Sequence, residues 1–282
     1  MEDQLKEIAS EEAQHLRELA KDGAKSGAYL YPVKGLIYFL SHRNLWAPLK
    51  AQLGPTLSVG VGVTSAMFFF TYIPQAAVLT ITSGPLIAPF SAALLVLSES
   101  STITTTIARS FLLHDALTDT FDGTLVAQGH EALVADGRQI KPAHETGDGE
   151  DPIERLGTML KRPLARFSMK EILREMLYLP LNFVPVVGTV LYVVVQGKRI
   201  GPVVHERYFQ LKGWGRRRRE EWVERNRAAY TSFGITAFIF EMVPFASLAF
   251  SFTNTIGAAL WAADIERKGM STELREEAKK MK

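Results

Sequence analysis

The stretch that decides the fold is Ala51–Ser98, AQLGPTLSVGVGVTSAMFFFTYIPQAAVLTITSGPLIAPFSAALLVLS, a run of 48 residues without Asp, Glu, Lys, Arg or His. At about 1.5 Å per residue, one straight helix of this length would extend roughly 72 Å, more than twice a hydrocarbon core of about 30 Å. The run must therefore turn back on itself. Proline and glycine in Pro74–Gly84 predict the turn of a membrane hairpin there.

Two more apolar runs follow in the second half of the chain. Met176–Gly197 has 22 residues without a charge, and Ala228–Ala263 has 36 residues with Glu241 as its one ionisable side chain. Because proline removes a backbone donor and clashes with the preceding helical turn, the prolines inside both runs predict bends. The expected fold is an all-α integral membrane protein of proline-broken hydrophobic helical hairpins, multi-pass or hemi-penetrating, with amphipathic interfacial helices.

The basic residues that flank these runs indicate on which side of the membrane each end of a run lies. Residues 161–174 and 198–227, on the two sides of the second run, are both rich in Lys and Arg, and Arg267 and Lys268 follow the third run. The positive-inside rule places all of these flanks in the cytosol, which requires the second run to enter and leave by the same face. Three hairpins that all open to the cytosol satisfy this rule, whereas true spans in the last two runs remain the alternative.

Composition divides the chain into five segments. Residues 1–27 predict an amphipathic cytosolic helix, 28–113 an interfacial helix and the first membrane hairpin, and 114–172 a polar cytosolic insert. Residues 173–264 hold the second and third membrane segments with a basic connecting helix, and 265–282 form a charged tail.

Finer features are predicted within these segments. Tyr29–Leu49 is expected to be the interfacial helix, with its Tyr and Trp side chains at the level of the lipid headgroups. Gly123–Gln128 and Ala132–Ala135 alternate as a strand pair would. Small residues recur at four-residue steps on the first arm of the hairpin, which allows close helix approach and a homo-oligomer; they are Ser58, Gly62 and Ala66.

Candidate functional residues lie at the expected bends. Glu241 is the strongest candidate. Inserting an ionisable group at the centre of a membrane helix costs about 2.5–3.5 kcal/mol, and such a group tends to face a protein interior or a water path. It would serve proton coupling or cation binding, or else it lies at a shallow bend near water. Asn182 would cap a broken helix or contact a ligand. The remaining bend residues are Pro185, Gly188 and Pro244.

The basic connecting helix is a second candidate site. Arg216, Arg217, Arg218 and Arg219, followed by Trp222, suit anionic lipid headgroups, since each basic residue near such a surface contributes roughly 1 kcal/mol. The same residues would also serve only to retain this segment in the cytosol. Nucleic acid is not an expected partner, because Glu220, Glu221 and Glu224 reduce the net positive charge of this segment.

Enzymatic chemistry finds little support in the sequence. His114–Asp115 and His130–Glu131 lack the spacing of a metal or acid/base motif, and no nucleophile elbow or phosphate loop occurs. The chain has no cysteine, which excludes thiol chemistry. We expect no enzymatic activity and no cofactor or metal; a lipid-acting membrane enzyme would require His114, Asp115 or His130 to converge in a cleft.

Several short motifs together resemble one known superfamily. They are Leu45–Trp46, the Asn-Phe-Val-Pro-Val-Val-Gly core of Leu181–Leu191, Gly197 and Gly201 before Tyr208–Phe209, Val243–Pro244–Phe245, and Ala258–Ala259–Leu260–Trp261. Over roughly residues 35–264 the chain resembles the etoposide-induced 2.4 / CysZ sulfate-permease superfamily, and within it the fungal branch of outer-spore-wall and lipid-droplet proteins. This resemblance implies multi-pass or hemi-penetrating helices.

The expected function follows from the topology and the resemblance together. A hairpin protein without a domain on the far side can occupy a monolayer over neutral lipid as well as a bilayer. We expect a structural or lipid-associated protein of the endoplasmic reticulum and lipid droplets that supports spore-wall or lipid metabolism in a fungus. The alternative is a secondary transporter or channel for small anions such as sulfate.

Overall fold

The computed structural model describes residues 21–140, 152–153, 155–160, 187–243 and 246–280. These residues fall into two compact units. We call residues 47–117 the hairpin unit, and we call the residues up to Trp46 together with those from Thr118 onward the bundle unit.

Helices dominate both units, and the bundle unit also carries two short strands. The helices are α1 (Tyr31–Ser41), α2 (Trp46–Ser83), α3 (Ala88–Ile107), α4 (Leu113–Ala127), α5 (Glu131–Ala135), α6 (Val187–Val203), α7 (Glu206–Leu211), α8 (Arg216–Arg225), α9 (Arg227–Glu241) and α10 (Ser247–Lys280). The strands β1 (Arg138–Ile140) and β2 (Leu156–Met159) pair antiparallel. Short 3-10 turns precede α1 and α2, and a π-helical segment, Ala108–Leu112, joins α3 to α4.

The hairpin unit is built from α2 and α3. Gly84, with φ of 78°, ends α2 in a left-handed conformation that a side chain would strain, and Gly84–Ile87 turns the chain into α3. The hairpin expected from Ala51–Ser98 is therefore present. Its turn lies at the far end of the expected window, because Pro74 is accommodated inside α2.

Apolar side chains cover the outside of the hairpin. Phe69, Ile81 and Leu86 are 78%, 87% and 86% exposed, values that a water-soluble surface does not sustain over so many neighbouring residues. Within the described residues, one helical stretch, Arg43–Ile81, is long and apolar enough to cross a membrane, and none of its apolar window is buried. The multi-pass arrangement of the later runs remains a prediction.

Backbone contacts at glycines hold the bundle unit together. A Cβ built on Gly197 would lie 2.5 Å from Ile235 Cγ1, and one on Gly201 would overlap the Tyr230 carbonyl, so α6 and α9 pack without intervening side chains. The same holds for α1 and α10, where a Cβ on Gly35 would lie 2.5 Å from the Gly257 backbone nitrogen. Such close approach lets helices bind through van der Waals contact where lipid offers no hydrophobic driving force.

The second and third apolar runs each contribute to this bundle. α6 begins at Val187 and continues past the second run to Val203, so that Lys198 and Arg199 lie inside a helix. The third run breaks between α9 and α10, at 242–246, as expected. Of the residues predicted at the bends, Asn182, Pro185 and Pro244 lie outside the described residues.

Two details of the expected local structure are wrong. Gly123–Gln128 and Ala132–Ala135 are not strands, because they belong mainly to α4 and α5, and the strand pair instead uses residues 138–140 and 156–159. The interfacial helix does not run to Leu49, since α1 ends at Ser41 and a 3-10 turn follows. Residues 28–46 belong to the bundle unit, and residues 265–280 continue α10.

Substitution of a packed glycine tests the role of these contacts. Gly201→Ala should lower the free energy of unfolding by about 1–3 kcal/mol, because its Cβ forces α6 away from α9. Gly62→Ala in α2 is the matched control, since a Cβ there meets nothing within 4 Å and alanine favours the helix. Thermal unfolding in detergent micelles measures both; equal effects at the two glycines would contradict the packing argument.

Candidate functional site

A polar group lies at the bend between α9 and α10. Asn254 Nδ2 donates to Glu241 Oε1 at 3.1 Å and to the Ala237 carbonyl at 3.0 Å, and Ser251 Oγ donates to the same Glu241 oxygen at 3.4 Å. Asn254 is buried, and its Oδ1 atom has no hydrogen-bond partner. The sequence-predicted Glu241 thus meets an amide and a hydroxyl from α10, neither of which the sequence analysis singled out.

This bend group favours a cation over an anion. A carboxylate with neutral oxygen atoms beside it attracts cations, and the carboxyl end of α9 adds the negative end of a helix dipole. The other predicted bend residues do not join it within the described residues: Gly188 is the second residue of α6, and Asn182, Pro185 and Pro244 lie outside.

A second polar pair lies inside the hairpin, and the sequence analysis did not predict it. Gln75 Nε2 of α2 donates to Glu99 Oε2 of α3 at 2.8 Å. The pair joins the two arms, because the side chains come from helices on opposite sides of the Gly84 turn. A sequence signal could have indicated this pair. Glu99 is the first carboxylate after the uncharged run, and Gln75 lies on the other arm, on the other side of the turn.

The basic residues of α8 are largely engaged within the protein. Arg216 and Arg217 form ion pairs with glutamates one turn later, at 2.7 and 2.9 Å, while Arg218 lies 4.7 Å over the Trp214 ring and Arg219 donates to the Trp214 carbonyl. Arg216 and Arg217 side chains are 85% and 93% exposed. A headgroup role for these arginines stays a prediction, and it would have to compete with their glutamate partners.

Trp222 takes part in a hydrogen-bond relay that ends in the bundle core. Its Nε1 donates to the Tyr230 hydroxyl at 3.2 Å, and that hydroxyl lies 2.9 Å from His205 Nδ1. His205 Nε2 lies 2.9 Å from the Ala258 carbonyl, which can only accept, so Nε2 carries the hydrogen and Nδ1 accepts from Tyr230. The indole N–H is thus directed at the core and not at lipid.

His205 is fully buried in an aromatic cluster. Its ring centroid lies 4.6 Å from that of Trp261 and 5.5 Å from that of Tyr230. Burial lowers the pKa of His205 to about 4, partly opposed by its bond to the Ala258 carbonyl. The imidazole is therefore neutral at physiological pH, as the relay requires.

The relay predicts how stability depends on pH. The unfolded state takes up a proton near the ordinary pKa of 6.5 and the folded state near 4, so stabilisation is complete above about 6.5 and is lost as pH falls toward 4. The loss amounts to about 3 kcal/mol. His205→Gln should flatten this part of the curve of unfolding free energy against pH, whereas His42→Gln, at an exposed histidine, should not; equal slopes in His205→Gln and the unsubstituted chain would contradict the assignment.

A buried group of ion pairs connects α4 and β1 with α7. Asp122 of α4 is fully buried and accepts bonds from Arg207 Nε at 2.9 Å and Nη2 at 2.6 Å. Arg138 of β1 bonds Asp122 at 3.3 Å, Asp119 at 2.7 Å and the Gly157 carbonyl at 2.9 Å. Because buried charges are costly unless they are paired, this group fixes how α4, β1 and α7 meet.

The histidines considered for catalysis belong to different units of the fold. His114 and Asp115 lie in the first turn of α4, within the hairpin unit, and His130 precedes α5 in the bundle unit. Among the described residues, no group of three or more His, Cys, Asp or Glu is arranged to hold a metal ion. That the chain is not an enzyme stays a prediction.

Comparison with known proteins sets these features in a family. The family model described as Sulfate transporter CysZ/Etoposide-induced protein 2.4 matches residues 31–251, from the start of α1 into α10. The chain belongs to this family. The match takes in the hairpin unit, the glycine contact of α6 with α9, and the bend group up to Ser251. The chain is accordingly a mainly α-helical, membrane-associated protein.

Two relatives from Saccharomyces cerevisiae (strain ATCC 204508 / S288c) are outer spore wall proteins. Outer spore wall protein RRT8 is 24% identical over 184 residues, which are 60% of this chain and 53% of RRT8. Outer spore wall protein LDS1 is 23% identical over 245 residues, which are 86% of this chain and 72% of LDS1. The matched region thus spans about half the length of RRT8. The resemblance to the fungal outer-spore-wall branch is confirmed.

Proposed function

We propose that this chain is a structural, lipid-associated protein of the endoplasmic reticulum that anchors by its hairpin in one leaflet and can move to lipid droplets. The observation that carries the proposal is the uncharged, outward-apolar turn Gly84–Ile87 with the Gln75–Glu99 pair behind it. A turn of this kind is favourable in hydrocarbon and unfavourable in water.

The depth of the polar pair agrees with one leaflet. Glu99 lies eleven residues after the start of α3, and Gln75 lies eight residues before the end of α2. At about 1.5 Å per residue these arms measure roughly 12–17 Å, close to half of a hydrocarbon core of about 30 Å. Beyond the pair, Ser100–Thr106 holds six hydroxyl residues out of seven, so polarity rises along α3 where the leaflet would end.

The relatives support a fungal setting for this function. RRT8 and LDS1 are both outer spore wall proteins, and LDS1 aligns along most of this chain. A lipid-anchored protein that supports formation of the spore wall is therefore our proposed physiological context.

Anion transport is the alternative function. The described polar group at the α9–α10 bend works against it, because the Glu241 carboxylate and the unpartnered Asn254 oxygen would repel sulfate. Backbone amides or cations directed at a bound anion would be required instead.

Single-cysteine accessibility in sealed microsomes tests the anchoring. The chain has no cysteine of its own, so each introduced thiol reports one position. We expect Lys50→Cys, Ser101→Cys and Arg217→Cys to react with an impermeant maleimide from the cytosolic side. Leu86→Cys should stay unreactive even after a pore-forming peptide gives access to the lumen, because the turn lies in hydrocarbon.

Two outcomes would overturn the one-sided arrangement. Labelling of Leu86→Cys from the lumen would place the turn across both leaflets. Protection of Arg217→Cys until the lumen is opened would make the second apolar run a true span, and anion transport would then become the leading function.

Droplet recovery tests the proposed movement to monolayers. Leu86→Arg should reduce the fraction of protein that floats with lipid droplets on the order of a hundredfold, because a charge in hydrocarbon costs about 2.5–3.5 kcal/mol. Gln139→Arg, at an exposed position of β1, adds the same charge outside the hairpin and should float normally. Recovery of Leu86→Arg at the level of Gln139→Arg would show that the hairpin turn does not anchor the protein.

A further inference from the structure

A polar cavity of about 710 Å³ lies within the bundle unit, between the end of α1 with the turn that follows it and the end of α4 with Pro152 and Arg155. Its size is that of a small-molecule site. Its polar lining comes from Tyr38, Ser41, His42, Arg43, Asn44 and Arg155. Among the described residues, the lining contains no Asp or Glu.

The lining has the chemistry of an anion site. Arg43 Cζ lies 6.0 Å from the Trp46 ring centroid, and among the described residues its guanidinium forms no ion pair with a carboxylate. Arg155 Nη1 bonds Glu131 Oε1 at 2.7 Å, which orients the second guanidinium at the edge of the cavity. Guanidinium groups bind phosphate oxygens through pairs of charge-assisted hydrogen bonds, which favours a phosphoryl group here.

His42 adds a further group with a fixed orientation. Its ring stacks on Tyr38 with centroids 3.8 Å apart, and its Nδ1 lies 2.9 Å from the Tyr38 carbonyl. Because a carbonyl only accepts, Nδ1 carries a hydrogen, which leaves Nε2 as the ring's other hydrogen-bonding atom. The ring is thus held in place before any ligand binds.

The surface of α1 next to the cavity indicates where the phosphate comes from. Leu30, Val33, Ile37 and Leu40 follow one face of the helix at three- and four-residue steps, and all four are exposed. Leu40, which is 60% exposed, also lines the cavity. An exposed apolar stripe that leads into a cationic cavity can contact the acyl chains of a lipid while the cavity holds its headgroup. A free anion has no acyl chains and would leave the stripe exposed.

We propose that this cavity binds the phosphoryl headgroup of an anionic phospholipid whose acyl chains lie along the apolar stripe of α1. This inference rests on the proposed lipid-associated function and names its lipid class and site.

Binding of dioctanoyl phosphatidic acid to the full chain in neutral detergent tests the site. Arg43→Gln should weaken binding at least tenfold, and Arg155→Gln should also weaken it. Arg267→Gln, at an exposed arginine of α10 outside the cavity, is the matched control and should bind as the unsubstituted chain does. Thermal unfolding of each variant establishes that the fold is kept. Dioctanoylglycerol, which has the same acyl chains without phosphate, should bind at least tenfold more weakly.

Three results would overturn the proposal: equal losses in Arg43→Gln and Arg267→Gln, equal binding of dioctanoylglycerol, or competition by inorganic phosphate at the concentration at which the lipid itself binds. The last would assign the cavity to free phosphate. Arg43→Gln should still float with lipid droplets, because the hairpin is unchanged. Loss of binding with normal flotation therefore supports the site, and normal binding without flotation in the unsubstituted chain would refute the proposed movement to droplets alone.

Discussion

Contact between helix backbones at glycine is the interaction on which the bundle unit depends. Gly197 and Gly201 of α6 face Gly234 and its neighbours on α9, and Gly35 of α1 faces Gly257 of α10. Even one methyl group at these positions would meet backbone atoms, which cannot move aside as a flexible side chain can. In a lipid environment, where apolar side chains gain little by leaving the solvent, such contact supplies dispersion attraction along whole helix faces.

The close packing also places the polar groups of the bundle. α9 carries Tyr230 and α10 carries the Ala258 carbonyl, and His205 bonds both. Three separate elements thus share one directional series of hydrogen bonds that starts at Trp222. A buried polar series of this kind specifies one arrangement of the helices, because any sliding would leave donors or acceptors without partners. The same reasoning applies to Asp122, which is bonded by both Arg207 and Arg138.

The sequence was informative where composition alone decides the structure. Forty-eight residues without a charge permit few alternatives to a hairpin, and the break between α9 and α10 followed from one proline in an apolar run. The turn lies at the far end of the expected window, because proline is tolerated inside a membrane helix and Gly84, with its positive φ, ends α2 instead of Pro74. Tyr31 was expected at the headgroups, yet it stacks on Trp261 and donates to Asp264, residues more than two hundred positions away.

Pairings across long sequence distances account for most of what the sequence missed. Nothing near His205 in the sequence indicates that it meets Ala258, and Gln75 lies 24 residues from its partner Glu99. The cavity beside Arg43 likewise needs Arg155 from a distant segment. Glu241 was found because a lone carboxylate in an apolar run is unusual, whereas its partners Ser251 and Asn254 are ordinary helix residues.

The uncharged hairpin turn also has a consequence for how the protein is made. Inserting a conventional loop between two membrane helices requires charged or strongly polar groups to cross the hydrocarbon, which is why dedicated machinery normally guides them. Gly84–Ile87 and its neighbours present no such barrier, since no charged side chain lies between Ala51 and Ser98. In the proposed topology, no charged side chain has to cross the hydrocarbon, so the two arms can enter a membrane together as a pair.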